Sequence, residues 1–251
     1  MAILVFTTDA AGGFLDPDIE GFTRIASVLA PIAEVIRTRL VSLAVAEAYL
    51  GPRTGQRVLN GQITRGHIEK INAAILVSDI RDWTGLNTRV AVEEALALAN
   101  RYFDVIADAV ESNRGEILKL IGDGVLAIFP SDDDASDAAA VCERALAAAR
   151  QALRIARDAD PPLELSFGIG MHFGEVLYGN IGSKTRIDFT VLGQAVNLAA
   201  RIEGLCGTLD KPILFSQVFA DQLSEPATLA AEEILKGLDG EFKVLSPAET
   251  N

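Results

Sequence analysis

Cysteine and histidine are scarce in this chain of 251 residues, which contains two of each. Cys142 and Cys206 are too few to form the disulfide framework of a small secreted domain. His67 and His172 are scattered along the chain without the spacing to each other or to the cysteines that zinc ligands require. The sequence therefore excludes both a disulfide-stabilised fold and a structural zinc site.

Long hydrophobic runs are absent as well. The apolar run at residues 73–77 is far shorter than the roughly 18 residues that suggest a membrane-spanning helix. The N-terminus has no basic residue, and Asp9 stands where the apolar core of a signal peptide would continue. We therefore expect a cytoplasmic protein with no membrane span.

Basic residues are outnumbered, with 22 Lys and Arg against 35 Asp and Glu, which gives a net charge of −13 at pH 7. A nucleic-acid backbone would repel this charge, so nucleic acid is not an expected partner. Hydrophobic residues make up 49% of the chain, enough to bury the core of an ordinary domain with an appendage.

The first patterned stretch is helical. Between residues 25 and 50, apolar residues recur at spacings typical of a coiled coil, at Ile25, Leu29, Ile32, Ile36, Leu43 and Leu50. The pattern predicts a coiled-coil-like helix whose partner is a second copy of the chain. Pro31 favours the alternative, an amphipathic helix that folds back on its own domain. Gly51 and Pro52 end the helix.

The rest of the chain alternates between strand and helix patterns. Strands are predicted at residues 73–78, 116–121, 125–129 and 163–172, and helices at residues 90–110 and 133–159. Gly122, Asp123 and Gly124 predict a tight hairpin turn between the second and third strands. The order βαββαβ predicts an α+β fold of the ferredoxin-like type, an antiparallel sheet with helices on one face. Strand-like pieces at residues 212–215 and 241–245 would extend the sheet.

Two aspartates stand at strand ends in this arrangement. Asp79 follows the first strand and Asp123 lies at the apex of the hairpin, so both carboxylates can converge on one edge of the sheet. Such a pair suits two divalent cations, Mg²⁺ or Mn²⁺, that bind phosphate oxygens for phosphoryl or nucleotidyl transfer. The alternative is structural, with Asp123 as a turn former and Asp79 as a helix cap.

Three segments in order resemble the class III nucleotidyl cyclases, the adenylate and guanylate cyclases. They are VSDIRDWT at residues 77–84, EILKLIGDG at residues 116–124 and DFTVLGQAVNLAAR at residues 188–201. The resemblance extends from about residue 73 to residue 245 and includes GEVLYGNIG at residues 174–182. It implies a catalytic domain at residues 71–251, preceded by a helical signalling linker at residues 16–70. Residues 1–15 resemble the end of an upstream sensory domain.

The resemblance also implies a role for individual residues. It implies metal binding by Asp79, Ile80 and Asp123, and a transition-state role for Asn197 and Arg201. It further implies that Lys119 and Thr190 read the purine and that Lys236 contacts the terminal phosphates of the substrate. Finally, it implies a substrate-binding loop whose backbone N–H groups cradle the triphosphate, formed by Ile80, Arg81, Asp82, Trp83 and Thr84.

The purine-reading pair indicates ATP as the substrate. A lysine ammonium such as that of Lys119 donates to the unprotonated N1 of adenine, whereas the protonated N1 of guanine needs an acceptor. The hydroxyl of Thr190 can accept from the adenine amino group. The resemblance therefore implies an adenylate cyclase that is a homodimer with shared active sites, in which one chain supplies the metal-binding aspartates and its partner supplies the other residues.

One loop departs from the family pattern. The family usually has glycine and phenylalanine where this chain has Asp82 and Trp83, and an added carboxylate there could repel phosphate or point to solvent. This departure keeps open a second hypothesis, a catalytically silent dimeric signalling module that binds nucleotide. A diguanylate cyclase is excluded, because its glycine-rich acidic turn does not occur in the sequence.

Overall fold

The computed structural model describes residues 3–62, 64, 66–131, 137–161, 163–183, 185–233 and 242–248. The chain forms two compact units, residues 1–62 and residues 63–251. Within the described residues, no helix is both long enough and apolar enough to cross a membrane.

The first unit is built from two helices, α1 (Asp16–Leu50) and α2 (Pro52–Leu59). The start of α1 is capped by Asp18, whose carboxylate accepts a hydrogen bond of 2.9 Å from the N–H of Leu15. The helix continues through Pro31 and ends before Gly51, whose φ of 81° favours glycine. The predicted long helix is confirmed, and it begins before residue 25.

The surface of α1 remains uncovered in the single chain. None of its residues is buried, and Ile25, Ile32 and Ile36 are each about half exposed, at 47%, 52% and 55%. These are residues of the predicted coiled-coil seam. A second copy of the chain as their partner stays a prediction.

The second unit contains the expected βαββαβ core. In chain order its elements are β1 (Ile68–Ile80), α3 (Trp83–Arg89), α4 (Val92–Ser112), β2 (Glu116–Ile121), β3 (Gly124–Pro130), α5 (Ala138–Asp158) and β4 (Phe167–Gly182). The strands pair antiparallel in the order β2-β3-β1-β4, which is the predicted ferredoxin-like arrangement.

The remaining elements extend this sheet. They are β5 (Ile187–Leu192), α6 (Gln194–Gly204), β6 (Ile213–Ser216), α7 (Gln217–Ala220), β7 (Ala227–Glu233) and β8 (Phe242–Pro247). Strand β6 joins β4 in parallel, β8 and β7 follow, and β5 pairs with β4 off the main path. The sheet extension predicted at residues 212–215 and 241–245 is confirmed by β6 and β8, with residue 241 outside the described residues.

Some predicted bounds were wrong. The strand predicted at residues 163–172 begins only at Phe167 and continues to Gly182, because β4 pairs with β1 and then with β5 along its length. Strand β1 begins at Ile68, before the predicted residue 73. Its first residues are mostly exposed and include polar side chains, so the sequence pattern did not indicate a strand there. Helix α5 begins at Ala138 among the described residues, and residues 132–136 of the predicted helix lie outside them.

The two faces of the sheet carry different layers. Side chains alternate along β1, so Ala74 and Leu76 pack against α4 and α5, whereas Ala73 and Ile75 face the opposite side. The opposite side is covered by β5 and α6. The core helices α4 and α5 thus lie on one face as predicted, and α6 adds a second layer.

Candidate active site

The ends of β1 and the β2–β3 hairpin bring two carboxylates together. Asp79 lies opposite Gly124 in the β1–β3 register, and Asp123 precedes that glycine in the turn. The two carboxyl groups are near enough to each other for the charge of Asp123 to act on Asp79. Burial, followed by the neighbouring charge and hydrogen bond of Asp123, raises the pKa of Asp79 to about 6, although the N–H of Ile80 acts in the opposite direction.

This pair fits divalent cations. Two oxygen donors whose charges repel each other gain from a cation between them, and Mg²⁺ is commonly held by one or two carboxylates plus substrate phosphates. Within the described residues, no group of three or more His, Cys, Asp or Glu forms a complete cage. Asp79 and Asp123 therefore leave coordination positions for phosphate oxygens.

The raised pKa of Asp79 gives the stability of the protein a definite pH dependence. Its pKa is about 6 in the folded chain against an ordinary 3.8, so its contribution to stability is present below pH 3.8 and is lost as the pH rises through 6. We expect metal-free Asp79→Asn to melt about 2–4 °C above the parent at pH 7.5, after allowance for solvent screening, since about 1 kcal/mol moves Tm by this amount.

Thermal melts of the parent and Asp79→Asn between pH 4 and pH 8 measure this effect. The difference in Tm should shrink towards zero near pH 4. Added Mn²⁺ should raise the Tm of the parent more than that of the variant, because the variant has lost one anionic ligand. A difference in Tm that is the same at every pH would contradict the assignment.

The segment after Asp79, residues 80–84, is called loop 80–84 below. Ile80 is buried, Arg81 is half-buried and Asp82 is exposed, with φ of 53° in the left-handed region that favours glycine. Asp82 precedes α3, whose first residues are Trp83 and Thr84. The first N–H groups of a helix have no partner within it, so those of Trp83 and Thr84 point outward from the loop.

The carboxylate of Asp82 is engaged along the outside of α3. It accepts a hydrogen bond of 2.8 Å from the guanidinium of Arg89 and lies over Gly85, where a Cβ atom would be 2.2 Å from it. The charge that departs from the family pattern is therefore paired. Because both side chains are more than half exposed, the pair is weak and leaves most of the negative charge facing solvent.

The two predicted purine-reading residues lie on β2 and β5. Lys119 forms an ion pair with Asp188, and the two side chains are 42% and 38% exposed. Thr190 lies two residues further along β5, so it projects from the same face as Asp188. Lys119 is thus paired with a carboxylate on the strand that carries Thr190, a partner that the sequence did not single out.

Asn197 and Arg201 lie one turn apart on α6. Apolar residues on the opposite side of the helix, Ala195, Leu198, Ala199 and Ile202, pack against the protein. Asn197 is exposed and Arg201 is partly exposed. The Nη1 atom of Arg201 is buried without a hydrogen-bond partner in the part of the chain that the structure describes. An unsatisfied buried donor of this kind needs an explanation, and an anionic ligand that reaches it is one.

The described interactions of these groups differ. Asp79 interacts with Asp123, Lys119 is paired with Asp188, and Asn197 and Arg201 lie together on α6. Lys236 lies outside the described residues.

Glu203 is a carboxylate near the site that the sequence did not reveal. It lies two residues after Arg201 on α6, and its Oε1 atom lies beside Gly168 of β4. Burial, with the charge of Asp79 second, raises the pKa of Glu203 to about 7, and Arg81 opposes that rise. The sequence around Glu203 has the pattern of an ordinary amphipathic helix, so nothing in it indicated that this carboxylate lies near the site.

Comparison with known proteins places this geometry among the nucleotidyl cyclases. The sequence profile described as "Adenylate and Guanylate cyclase catalytic domain" matches residues 67–234. An adenylate cyclase of Anabaena cylindrica is 33% identical over 166 residues, which are 65% of this chain and 33% of that protein. The chain spans a third or less of the length of several curated relatives.

Solved structures show the same architecture. A bacterial light-regulated adenylyl cyclase superposes with a TM-score of 0.70 at 27% identity, covering 88% of this chain and 65% of that chain. The guanylyl cyclase Cya2 superposes with a TM-score of 0.56 at 28% identity, covering 73% of this chain and 94% of that chain. Both adenylyl and guanylyl cyclases are therefore similar to this chain.

Proposed function

Because the chain belongs to the adenylate and guanylate cyclase catalytic domain family, we propose that it is an adenylate cyclase that converts ATP to 3′,5′-cyclic AMP and pyrophosphate. The observation that carries this proposal is the convergence of Asp79 and Asp123 at adjacent strand ends, where the charge of Asp123 helps to raise the pKa of Asp79. A structural turn former and a helix cap have no need to bring two like-charged groups together.

The proposed reaction is an in-line attack of the ribose 3′-oxygen on the α-phosphorus. Asp79, Asp123 and the carbonyl of Ile80 would hold two Mg²⁺ or Mn²⁺ ions, which would supply Lewis-acid chemistry that favours loss of the proton of the 3′-hydroxyl to solvent and departure of pyrophosphate. The backbone N–H groups of Trp83 and Thr84 bind phosphate oxygens beside them.

Helix α6 supplies the groups that meet the transition state. The unpartnered Nη1 atom of Arg201 donates to an oxygen of the α-phosphate as negative charge develops there. Asn197, one turn earlier on the same face, orients the ribose. Lys236, which resembles the lysine that contacts the terminal phosphates, completes the phosphate-binding set.

The choice of ATP rests on Lys119 and Thr190. The ammonium of Lys119 has three protons, and one bond to Asp188 leaves two for the N1 atom of adenine. Thr190, on the same face of β5 as Asp188, accepts from the adenine amino group. The guanylyl cyclase among the similar structures makes this choice a separate hypothesis from the reaction itself.

The proposed active unit is a homodimer with shared sites. As the family resemblance implies, one chain supplies Asp79 and Asp123, and its partner supplies the other residues of the site: Lys119, Thr190, Asn197, Arg201 and Lys236. Apolar residues exposed on the outer strands support a second copy, since Leu120, Ile121 and Leu192 are each at least half exposed at 51%, 58% and 50%. The uncovered seam of α1 supports it as well.

Incubation with ATP or GTP in the presence of Mn²⁺, followed by chromatography of the products, tests the nucleotide assignment. Cyclic AMP should form with at least about a tenfold higher kcat/KM than cyclic GMP, because a lost purine hydrogen bond costs about 1.4 kcal/mol or more. Lys119→Met should reduce this preference. Cyclic GMP as the preferred product would overturn the assignment to ATP.

The competing hypothesis is a nucleotide-binding module without turnover. It is favoured by Asp82, whose charge lies at the head of α3 beside the phosphate-binding N–H groups. The pairing of Asp82 with Arg89 weakens this argument, because the carboxylate is drawn along the outer side of the helix.

A further inference from the structure

Arg81 stands next to the metal-binding aspartate, yet its side chain is directed elsewhere. We propose that Arg81 is a positioning residue that ties loop 80–84 to the end of α6 in the same chain, and that it does not bind phosphate. The inference rests on the proposed cyclase reaction and deepens it, because it assigns a residue that holds an element of each active site in place.

The guanidinium of Arg81 is held by main-chain carbonyls. Its Nη2 atom donates to the carbonyl oxygens of Cys206, at 3.0 Å, and Lys211, at 2.7 Å. Its Nη1 atom lies 3.6 Å from a carboxylate oxygen of Asp210, and the side chain is 24% exposed. Two carbonyls at these distances define the position of a planar guanidinium closely.

The backbone of Arg81 is also engaged. Its N–H donates to the carbonyl oxygen of Ser166 at 2.9 Å, so it is not available to a phosphate oxygen. The remaining guanidinium nitrogen, Nε, is buried without a partner among the described residues. Half-buried, and bonded through Nη2 to two protein carbonyls, Arg81 has the contacts of a residue that ties two segments together.

The carbonyl oxygens that accept hydrogen bonds from Arg81 belong to the turn that directly follows α6. The N–H of Cys206 donates to the carbonyl of Glu203 at 2.8 Å, and the N–H of Lys211 donates to the carbonyl of Cys206 at 3.1 Å. This turn therefore moves with the helix that carries Asn197 and Arg201. A change at Arg81 alters the placement of both loop 80–84 and α6.

In a dimer with shared sites, these two elements serve different sites. Loop 80–84 of a chain belongs to the site that uses its own aspartates, whereas its α6 belongs to the other site. Arg81 of each chain therefore acts on both sites. A phosphate-binding Arg81 would act only on the site of its own loop.

Mixed dimers separate these two roles. One chain carries Asn197→Ala, and the other carries Asp123→Ala, so the single competent site combines the aspartates of the first chain with α6 of the second. Arg81→Lys is then placed in the second chain, whose own loop serves only the inactive site. Lysine keeps the charge, but its single nitrogen on a shorter side chain cannot take the places of both Nη2, which donates to two carbonyls, and Nη1, which faces Asp210.

The expected result is a fall in kcat of about tenfold or more, with the KM for ATP changed by less than about threefold, because a displaced helix affects the transition state more than ground-state binding. Placement of Arg81→Lys in the first chain should also lower activity.

Arg144→Lys in the second chain is the matched control. Arg144 is also partly buried, and it donates to the main-chain carbonyl of Pro130 at 3.5 Å. Its Nε atom is likewise buried without a described partner. Unlike Arg81, however, it lies on α5, away from the site. It should change Tm as much as Arg81→Lys and leave kcat unchanged. An unchanged kcat with Arg81→Lys in the second chain would overturn the inference. An inactive mixture without any Arg81 change would overturn the shared-site function and this inference with it.

Discussion

Alanine in place of Asp79 lowers cyclic AMP formation by at least about a thousand-fold at saturating ATP and Mn²⁺, a loss equivalent to about 4 kcal/mol of transition-state stabilisation. The variant retains one carboxylate, Asp123, which cannot hold two cations alone. The fold is preserved, because the substitution removes a repulsive carboxyl pair and no core side chain. Measured rates of cyclic AMP formation, beside melting temperatures of both proteins, decide the outcome.

Asp82→Gly is the contrasting variant in the same assay. Glycine accepts the φ of 53° at this position more readily than aspartate and removes the charge from the head of α3. Activity should equal or exceed that of the parent. If the parent and Asp82→Gly both match Asp79→Ala while they still bind ATP and Mn²⁺, the chain is a silent signalling module and the adenylate cyclase proposal is wrong.

Alanine at Arg201 lowers kcat by about a hundredfold to a thousandfold, since it removes a charge-assisted donor aimed at the developing phosphate charge. The KM for ATP should change far less, because the interaction strengthens in the transition state. Asn197→Ala should also inactivate the protein. A loss confined to KM would contradict the proposed role of α6.

The mixture of Asn197→Ala with Asp123→Ala should recover activity that neither variant has alone. Random association makes half of the dimers heterodimers, and each heterodimer has one competent site of two, so about a quarter of the parent activity is expected. Variants with different affinity tags allow the heterodimer to be purified and its amount to be measured. A purified heterodimer without activity would contradict shared sites.

The sheet core could be predicted from the sequence because strong local signals mark it. Gly122 and Gly124 flank Asp123 between two apolar runs, and this punctuation predicts the hairpin as the structure has it. The convergence of Asp79 and Asp123 followed from topology, since the first strand of a βαββ unit lies beside the hairpin. These features depend on short-range patterns and on a few rules of chain connection.

Other features depend on contacts between distant segments and left no local pattern. Strand β7 (Ala227–Glu233) has one large apolar residue, Leu229, among small and charged residues that do not alternate clearly, and its pairing with β8 makes it a strand. Arg81 donates to the carbonyls of Cys206 and Lys211, and Lys119 pairs with Asp188. Each of these contacts joins residues that are 69 or more positions apart in the sequence. Motif spacing places such residues at the site but does not determine which partner each one takes.

Helix α6 rests on β4 through main-chain contact. A Cβ atom at Gly170 would lie 2.2 Å from the backbone nitrogen of Glu203 and 2.5 Å from the carbonyl oxygen of Ala199. The spacing between the helix and the strand is thus determined by atoms that every amino acid possesses. Core side chains elsewhere can diverge during evolution while this spacing persists, which is one physical reason why proteins only 27% identical to this chain can share its architecture.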